Sequence, residues 1–256
     1  LINPAKEYKI FQMLTRSKLV NNMILGNDSI CKDAIEKLKN NIALYNEDYI
    51  DINRWQGQYL NFKGKYKDAI PFLENVLKLE EQKGLIYSAK YFTTCFLLSQ
   101  CYEKSGEFEK ALLFMAKNLR KPLYDKDDIL QTIKIQNTYS FVPGLRCAQI
   151  YYSKFLKTKS IEDLQNCKLY LDAIETIIFE QFGVIEENAI LQFYQESGND
   201  YFELGLEVCF ELWEKDKNIE NLQHFINYSE RNKNSILLRD RALAHQQTGL
   251  SKEIIT

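Results

Sequence analysis

The chain has 256 residues, 45% of them hydrophobic and 27% charged, which suffices for one large domain or two small ones with a substantial core. Its net charge of −2, with Lys and Glu mixed throughout, argues against the basic footprint that nucleic acid or an anionic membrane requires. Ten Gly and four Pro are few for this length, so long helices are a better expectation than a many-stranded sandwich or barrel.

In chain order, amphipathic periodicity predicts helices near 5–24, 28–44, 49–62, 66–82, 85–104 and 108–120. After "KPLYDK" come 126–138, 143–157, 161–182, 186–214 and 218–246, with Pro122 and Pro143 marking the two clearest breaks. The longest apolar runs, such as "ALLFMA" at 111–116, fall far short of the roughly 18–20 residues of a membrane span. "LINPAKEYKI" at the start has neither a basic head nor an apolar signal core. It also lacks an initiator Met, so the chain is expected to be an excised or processed piece of a longer protein.

Two internal matches organise the chain. "GKYKDAI" (64–70) recurs as "GEFEKAL" (106–112), giving Gly at a tight turn, an aromatic two residues on, and a small Ala three further. Gly permits the turn, the aromatic wedges between two helices, and Ala lets their backbones approach. Downstream, "SIEDLQNCKLY" (160–170) recurs as "NIENLQHFINY" (218–228), an offset of 58 residues. The helices before them also match, with Ile150/Val208, Tyr152/Phe210 and Phe155/Trp213 in register across polar "KTKS" and "KDKN" turns. A helix pair that cannot bury its apolar side alone needs a similar neighbour, which is why the pattern is written twice.

The first match resembles the tetratricopeptide repeat family. With Ala111 at the small position of the second helix, Leu98, Ser99 and Tyr102 fall on the Leu, Gly and Tyr positions of the first. For Ala69 the same alignment gives Gln56, Gly57 and Leu60, and the Trp position is Asn53 or Cys95, so neither copy keeps it. The resemblance implies an all-α, right-handed α-solenoid of tetratricopeptide-like helix pairs. It is expected as a single helical-repeat domain over 1–256, with tetratricopeptide-like pairs in 1–124 and longer pairs in 125–256. From Gly144 onward the order of hairpin, long helix and second hairpin, closing on "SERNKNSILL" (229–238), resembles the repeat region before the protease domain of CHAT caspase-like proteins. Glu230, Lys233, Leu237 and Leu238 stand at the matching positions of that last helix, while Asn234 and Ser235 depart from its small residue. The resemblance implies a non-catalytic, partner-sensing half whose protease domain would follow Thr256 in the parent chain.

In tetratricopeptide arrays the first helix of each pair lines a concave groove that holds a protein or peptide. Carried over by position, this selects Arg54, Gln58 and Asn61, then Thr93, Phe96, Gln100, Glu103 and Lys104, with Gln149 and Tyr152 continuing the row. Against this stands the plainer reading that these are solvated polar positions. Tyr59, Tyr66, Tyr91, Phe92, Phe108, Tyr151, Tyr152, Phe202 and Trp213 are spaced as helix-pair core.

Catalytic chemistry finds little footing. The six cysteines, Cys31, Cys95, Cys101, Cys147, Cys167 and Cys209, form no CxxC pair. Of a disulfide framework, a metal site and buried thiols, their apolar settings favour buried thiols in a reducing cytoplasm. His224 replaces Asn166 in the repeat match and reads as a rim residue, and His245 as a solvated one. No GxxxxGK[ST] or GxGxxG is present to cradle phosphate. Glu186, Glu187 and the acids of 124–128 read as helix-start charges. No catalytic residue, cofactor or metal is expected, nor a nucleic-acid or membrane partner. The alternative function is a stand-alone receptor for a short peptide or small ligand.

Overall fold

A computed structural model describes residues 14–40 except 16 and 24, 49–118 except 87, 141–182 and 199–248. The expected helix 126–138, the paired acids Glu186 and Glu187, and the acids of 124–128 lie outside the described residues. All regular structure among the described residues is helical. Residues 14–23 form a first helical segment. It is followed by α1 (Asp28–Asn40), α2 (Tyr49–Phe62), α3 (Tyr66–Gln82), α4 (Ala89–Lys104), α5 (Phe108–Asn118), α6 (Phe141–Thr158), α7 (Ile161–Phe182), α8 (Asn199–Asp216) and α9 (Ile219–Thr248). The chain divides into two compact units, Leu1–Arg120 and Lys121–Thr256.

In the first unit, α2 pairs with α3 and α4 with α5 across the two Gly turns predicted from sequence. Gly64 and Gly106 take φ of +71° and +82°. Each Gly N–H donates three residues back, to Asn61 O and Glu103 O, and the next N–H closes onto Leu60 O or Tyr102 O. A side chain here would be strained, because L residues avoid that backbone region. Beyond each turn the small Ala69 and Ala111 are fully buried. Gly57 sits where α2 crosses α3 so closely that a Cβ would come within 2.6 Å of Leu73 Cγ. Ser99, at the equivalent position of α4, is fully buried and its Oγ has no hydrogen-bond partner. The start of α4 differs from the expected 85. Gly84 ends α3 at φ +70°, and Ser88 Oγ then accepts from Tyr91 N at 3.1 Å, which caps a new helix at Ala89. Ahead of these pairs, Leu19, Met23, Cys31, Ala34, Ile35 and Tyr59 form a buried cluster with Trp55 packed against it.

In the second unit, α6 pairs with α7 and α8 with α9, and both pairs turn without glycine. Lys159 and Lys217, 58 residues apart, each adopt positive φ, 58° and 51°. Each turn is closed by the lysine N–H donating to the carbonyl four residues back, Phe155 O at 2.7 Å and Trp213 O at 2.8 Å. The amine of each folds over that same aromatic ring, at 5.3 Å and 4.1 Å from its centroid. One local bond across the turn is also repeated with its polarity reversed. Thr158 Oγ1 donates to Asp163 Oδ2 at 2.9 Å, whereas at the matching positions Asn221 Nδ2 donates to Asp216 Oδ2 at 3.0 Å. The sequence match was therefore a match of turn geometry. Between the two hairpins Tyr201 donates to Leu171 O at 3.4 Å, and within its own hairpin its hydroxyl lies 3.3 Å from that of Tyr228. The Tyr228 ring presses on Gly205, where a Cβ would lie 2.6 Å from it.

Of the aromatics expected in the core, Tyr59, Tyr91, Tyr151 and Phe202 are buried, while Tyr66, Phe92, Phe108, Tyr152 and Trp213 are half-buried. All six cysteines are buried and free. Burial holds the thiols of Cys95, Cys101, Cys147 and Cys209 up at about 12, so they are protonated at neutral pH. Among the described residues no helix is long and apolar enough to cross a membrane, and no cluster of metal-ligating side chains is present.

Candidate partner-binding face

The first helices of the two pairs in the first unit, α2 and α4, lie side by side and are tied by three bonds. Asn61 Nδ2 donates to Gln100 Oε1 at 3.0 Å, Arg54 Nε to Thr94 Oγ1 at 3.0 Å, and Lys90 Nζ to Asp51 Oδ2 at 2.7 Å. This brings much of the row selected from sequence onto adjoining helices. Gln58 and Asn61 on α2 and Phe96 and Gln100 on α4 are half-buried, and Thr93 and Lys104 are exposed. Thr93, Phe96, Gln100 and Lys104 recur at three- and four-residue intervals, so they run down one side of α4. The amide side chains each offer both a donor and an acceptor, the complement of a peptide backbone. Phe96 adds an apolar contact and Lys104 a cation.

Two members of the row are placed beneath the surface. Glu103 is 5% exposed, with its carboxylate 4.0 Å from Lys104 Nζ. Arg54 is 8% exposed and serves as the hub of a buried network. Its guanidinium also donates to Asp51 Oδ1 and, at 2.7 Å, to Glu80 Oε1, while Thr94 Oγ1 lies 3.1 Å from Glu80 Oε2. A guanidinium presents five donors in a fixed fork, which is why one side chain can hold α2, α3 and α4 together. Burial penalises the Asp51 carboxylate, but the bond from Lys90 and the charge of Arg54 outweigh it and lower its pKa. Burial dominates at Glu80 and raises its pKa, with Arg54 and Thr94 only partly offsetting it. A charge in a helix normally reads as surface, and Glu80 and Thr94 lie too far along the chain for spacing to have revealed their roles.

Gln149 and Tyr152 belong to the second unit. Gln149 accepts from Arg146 Nη1 at 3.2 Å. Burial raises the Tyr152 pKa, and so do the charge of Glu207 on α8 and its hydrogen bond. Tyr152 thus faces the neighbouring hairpin of its own unit.

One feature escaped the sequence reading. A cleft of about 620 Å³ opens between α1 and α2, with Tyr59 and Leu60 in its wall. Lys32, Lys39, Lys63 and Lys65 line it against Asp28 and Glu36, giving an excess of positive charge in an overall acidic chain. Lys63 pairs with Asp28 at 2.9 Å, and that bond lowers the Asp28 pKa and raises that of Lys63. The signal was present as lysines seven apart on α1 and on both sides of Gly64.

No family model matches the chain. One curated relative, ribosomal RNA small subunit methyltransferase A of Mycoplasma mobile, is 29% identical over 197 residues, covering 66% of this chain and 78% of that protein. Among solved structures, BtubC (BKLC) from P. vanneervenii superposes with a TM-score of 0.55 at 15% identity, covering 92% of this chain and 89% of that one. A Podosopora anserina protein described as a putative kinesin light chain with nearly identical TPR-like repeats gives 0.55 at 10% identity, covering 90% and 98%. A point-substituted form of that protein gives 0.54 at 9% identity, covering 98% and 100%. These likenesses establish the fold: the chain is an all-α solenoid of tetratricopeptide-like helix pairs.

Proposed function

We propose that this chain is a non-catalytic scaffold that holds a segment of another protein against the α2–α4 face. The observation that carries the reading is the bridge from Asn61 to Gln100, which joins the first helices of consecutive pairs and sets Gln58, Phe96 and Lys104 beside it. A helical-repeat fold with no cofactor motif is suited to recognition by such a face. In finer terms, we propose a partner-sensing half of a cytoplasmic CHAT caspase-like protein. Partner binding would bias how its last helix, α9, seats a protease domain following in the parent chain. The "SERNKNSILL" exit motivates that assignment. Two tests separate the levels. The combined variant Gln58→Ala, Phe96→Ala, Gln100→Ala, with unchanged far-ultraviolet circular dichroism, is expected to lose the partner captured by the native chain. In the parent protein the same variant is expected to lose the partner-triggered proteolysis. A normal proteolytic response would remove the control role.

The cleft between α1 and α2 favours a second reading, a stand-alone receptor for a short acidic peptide or small anion. Saturable binding of an acidic peptide that is lost in Lys39→Glu, with the α2–α4 variant unaffected, would support it. An enzyme acting on RNA, which the name of the curated relative raises, finds less support. The chain has a net charge of −2, no strand among the described residues from which a glycine-rich phosphate turn could spring, and cysteine thiols held protonated. A salt-dependent mobility shift on RNA, or turnover by the chain alone, would reverse that judgement.

A further inference from the structure

The start of α1 lies beside the end of α2, where Lys63 pairs with Asp28 at 2.9 Å, so the two helices run antiparallel along their cleft. Lys32, Glu36 and Lys39 of α1 are exposed and, at intervals of four and three residues, line the cleft as one row. Gln56, Leu60 and Lys63 form the opposite row on α2 at intervals of four and three residues. Ile35 and Tyr59, both buried, close the floor between the rows.

The charges of the cleft are unevenly neutralised. Lys63 is held by Asp28, and Asp33 on the adjoining side of α1 is held by Lys37 at 2.8 Å. Lys32, Glu36, Lys39 and Lys65 form no ion pair among the described residues. Three lysines therefore stand against one glutamate, in a chain whose net charge is −2. Glu36 lies between Lys32 and Lys39, so it parts the positive charge into two ends, with Lys65 beyond the Gly64 turn adding to the Lys32 end. Seven residues of helix, at about 1.5 Å each, set the two ends about 10 Å apart. Three residues of extended chain, at about 3.3 Å each, cover the same distance. Gln56 is half-buried in the wall, and its amide makes no hydrogen bond among the described residues, so a donor and an acceptor face the cleft. An extended chain has N–H and C=O groups free to meet that amide, whereas a helix has already paired its own.

We propose that this cleft docks an extended segment of a partner protein that carries two acidic residues three apart, one meeting Lys32 and Lys65 and the other Lys39. Glu36 is the selector. It repels an acid placed between the two ends, and so penalises a segment whose acids are adjacent. The inference rests on the reading of the cleft as a site for an acidic peptide, and names the peptide that the cleft selects. It does not depend on the α2–α4 face being used.

The test is a calorimetric titration of the native chain with three synthetic peptides, each with two glutamates among neutral residues. The glutamates are adjacent in the first, three apart in the second, and seven apart in a helix-forming third. The second is expected to bind saturably, and the first about fivefold more weakly. Lys32→Gln and Lys39→Gln should each weaken the second about fivefold, while Gln100→Ala leaves it unchanged. Glu36→Gln should strengthen the first peptide and abolish the preference for spacing. Lys32, Glu36 and Lys39 are exposed, so these variants leave the core intact. Equal binding at every spacing, or a preference that survives Glu36→Gln, would overturn the proposal and leave the cleft a receptor for acidic peptides in general. Tightest binding of the helical peptide would overturn the extended occupant, and binding of inorganic phosphate as tight as that of the second peptide would make the site one for small anions. No binding by any of the peptides would remove the acidic-peptide reading of the cleft along with the proposal.

Discussion

The two units are built from the same kind of helix pair but are locked by opposite chemistries. In the first, α2, α3 and α4 meet at a buried charge, Arg54, shared among Asp51, Glu80 and Thr94. In the second, Tyr201 of α8 reaches across to Leu171 O of α7, and within the α8–α9 hairpin the Tyr228 ring presses on Gly205. Charges removed from water stabilise a fold only while every partner is present, whereas ring packing depends on volume and shape. Both units hold a glycine where an added methyl would meet a neighbour at 2.6 Å, Gly57 against Leu73 and Gly205 against Tyr228, but the first is also sensitive to loss of a partner from the Arg54 hub.

The largest effect expected is at the hub. Arg54→Ala leaves Asp51 and Glu80 buried without their shared donor, and should destabilise the first unit by about 3–5 kcal/mol. Each unit carries one of the two tryptophans, Trp55 and Trp213, so denaturant unfolding followed in Trp213→Phe reports the first unit alone. A midpoint unchanged by Arg54→Ala would mean that the network holds nothing. Next comes Gly205→Ala, which pushes a Cβ to within 2.6 Å of the Tyr228 ring and should cost about 1–3 kcal/mol, read through Trp213. Removing only the hydroxyl, Tyr201→Phe, should cost less, about 1 kcal/mol, because the rings still pack.

The comparison can be sharpened with acid. Asp51 has a folded-state pKa below the ordinary carboxylate value of about 3.9, so its contribution is present above that pH and is lost as pH falls through the folded value. Glu80, raised by burial, has the opposite sign: its contribution is present below the ordinary value and is lost as pH rises through the folded one. Below about pH 4 the first unit should lose what Asp51 supplies, partly offset by Glu80. Asp51→Asn should flatten that acid limb in an unfolding series read through Trp55. The smallest effect is at the turns. Lys217→Gly removes the left-handed strain of a side chain but also its contact with Trp213, so a net change within about 1 kcal/mol is expected.

How much of this was legible follows from how local each signal is. The Gly64 and Gly106 turns, with Ala69 and Ala111 behind them, were readable because a left-handed turn and a close helix crossing each constrain one or two adjacent positions. The helix pairs of the second unit were readable because the chain repeats itself across Lys159 and Lys217. The start of α4 was placed four residues early, since apolar periodicity runs through "LIYS" and only the Ser88 cap breaks it. Among the candidate face residues, Gln58, Phe96, Gln100 and Lys104 could be placed by helical spacing. The inward course of Arg54 could not, because its partners lie 26 and 40 residues away and a charge alone does not say where it will be neutralised.

The reversed bond at the two lysine turns bears on the length of the molecule. Thr158 donates a hydrogen bond to Asp163 where Asp216 accepts one from Asn221, so each turn is closed by its own bond while occupying the same left-handed frame. Deleting residues 160–217 would join Lys159 to Asn218, the residue that follows Lys217, so a lysine of positive φ would still stand at the turn. The 58-residue interval thus behaves as a unit of measure. A change by one such step would keep the left-handed turn at the splice.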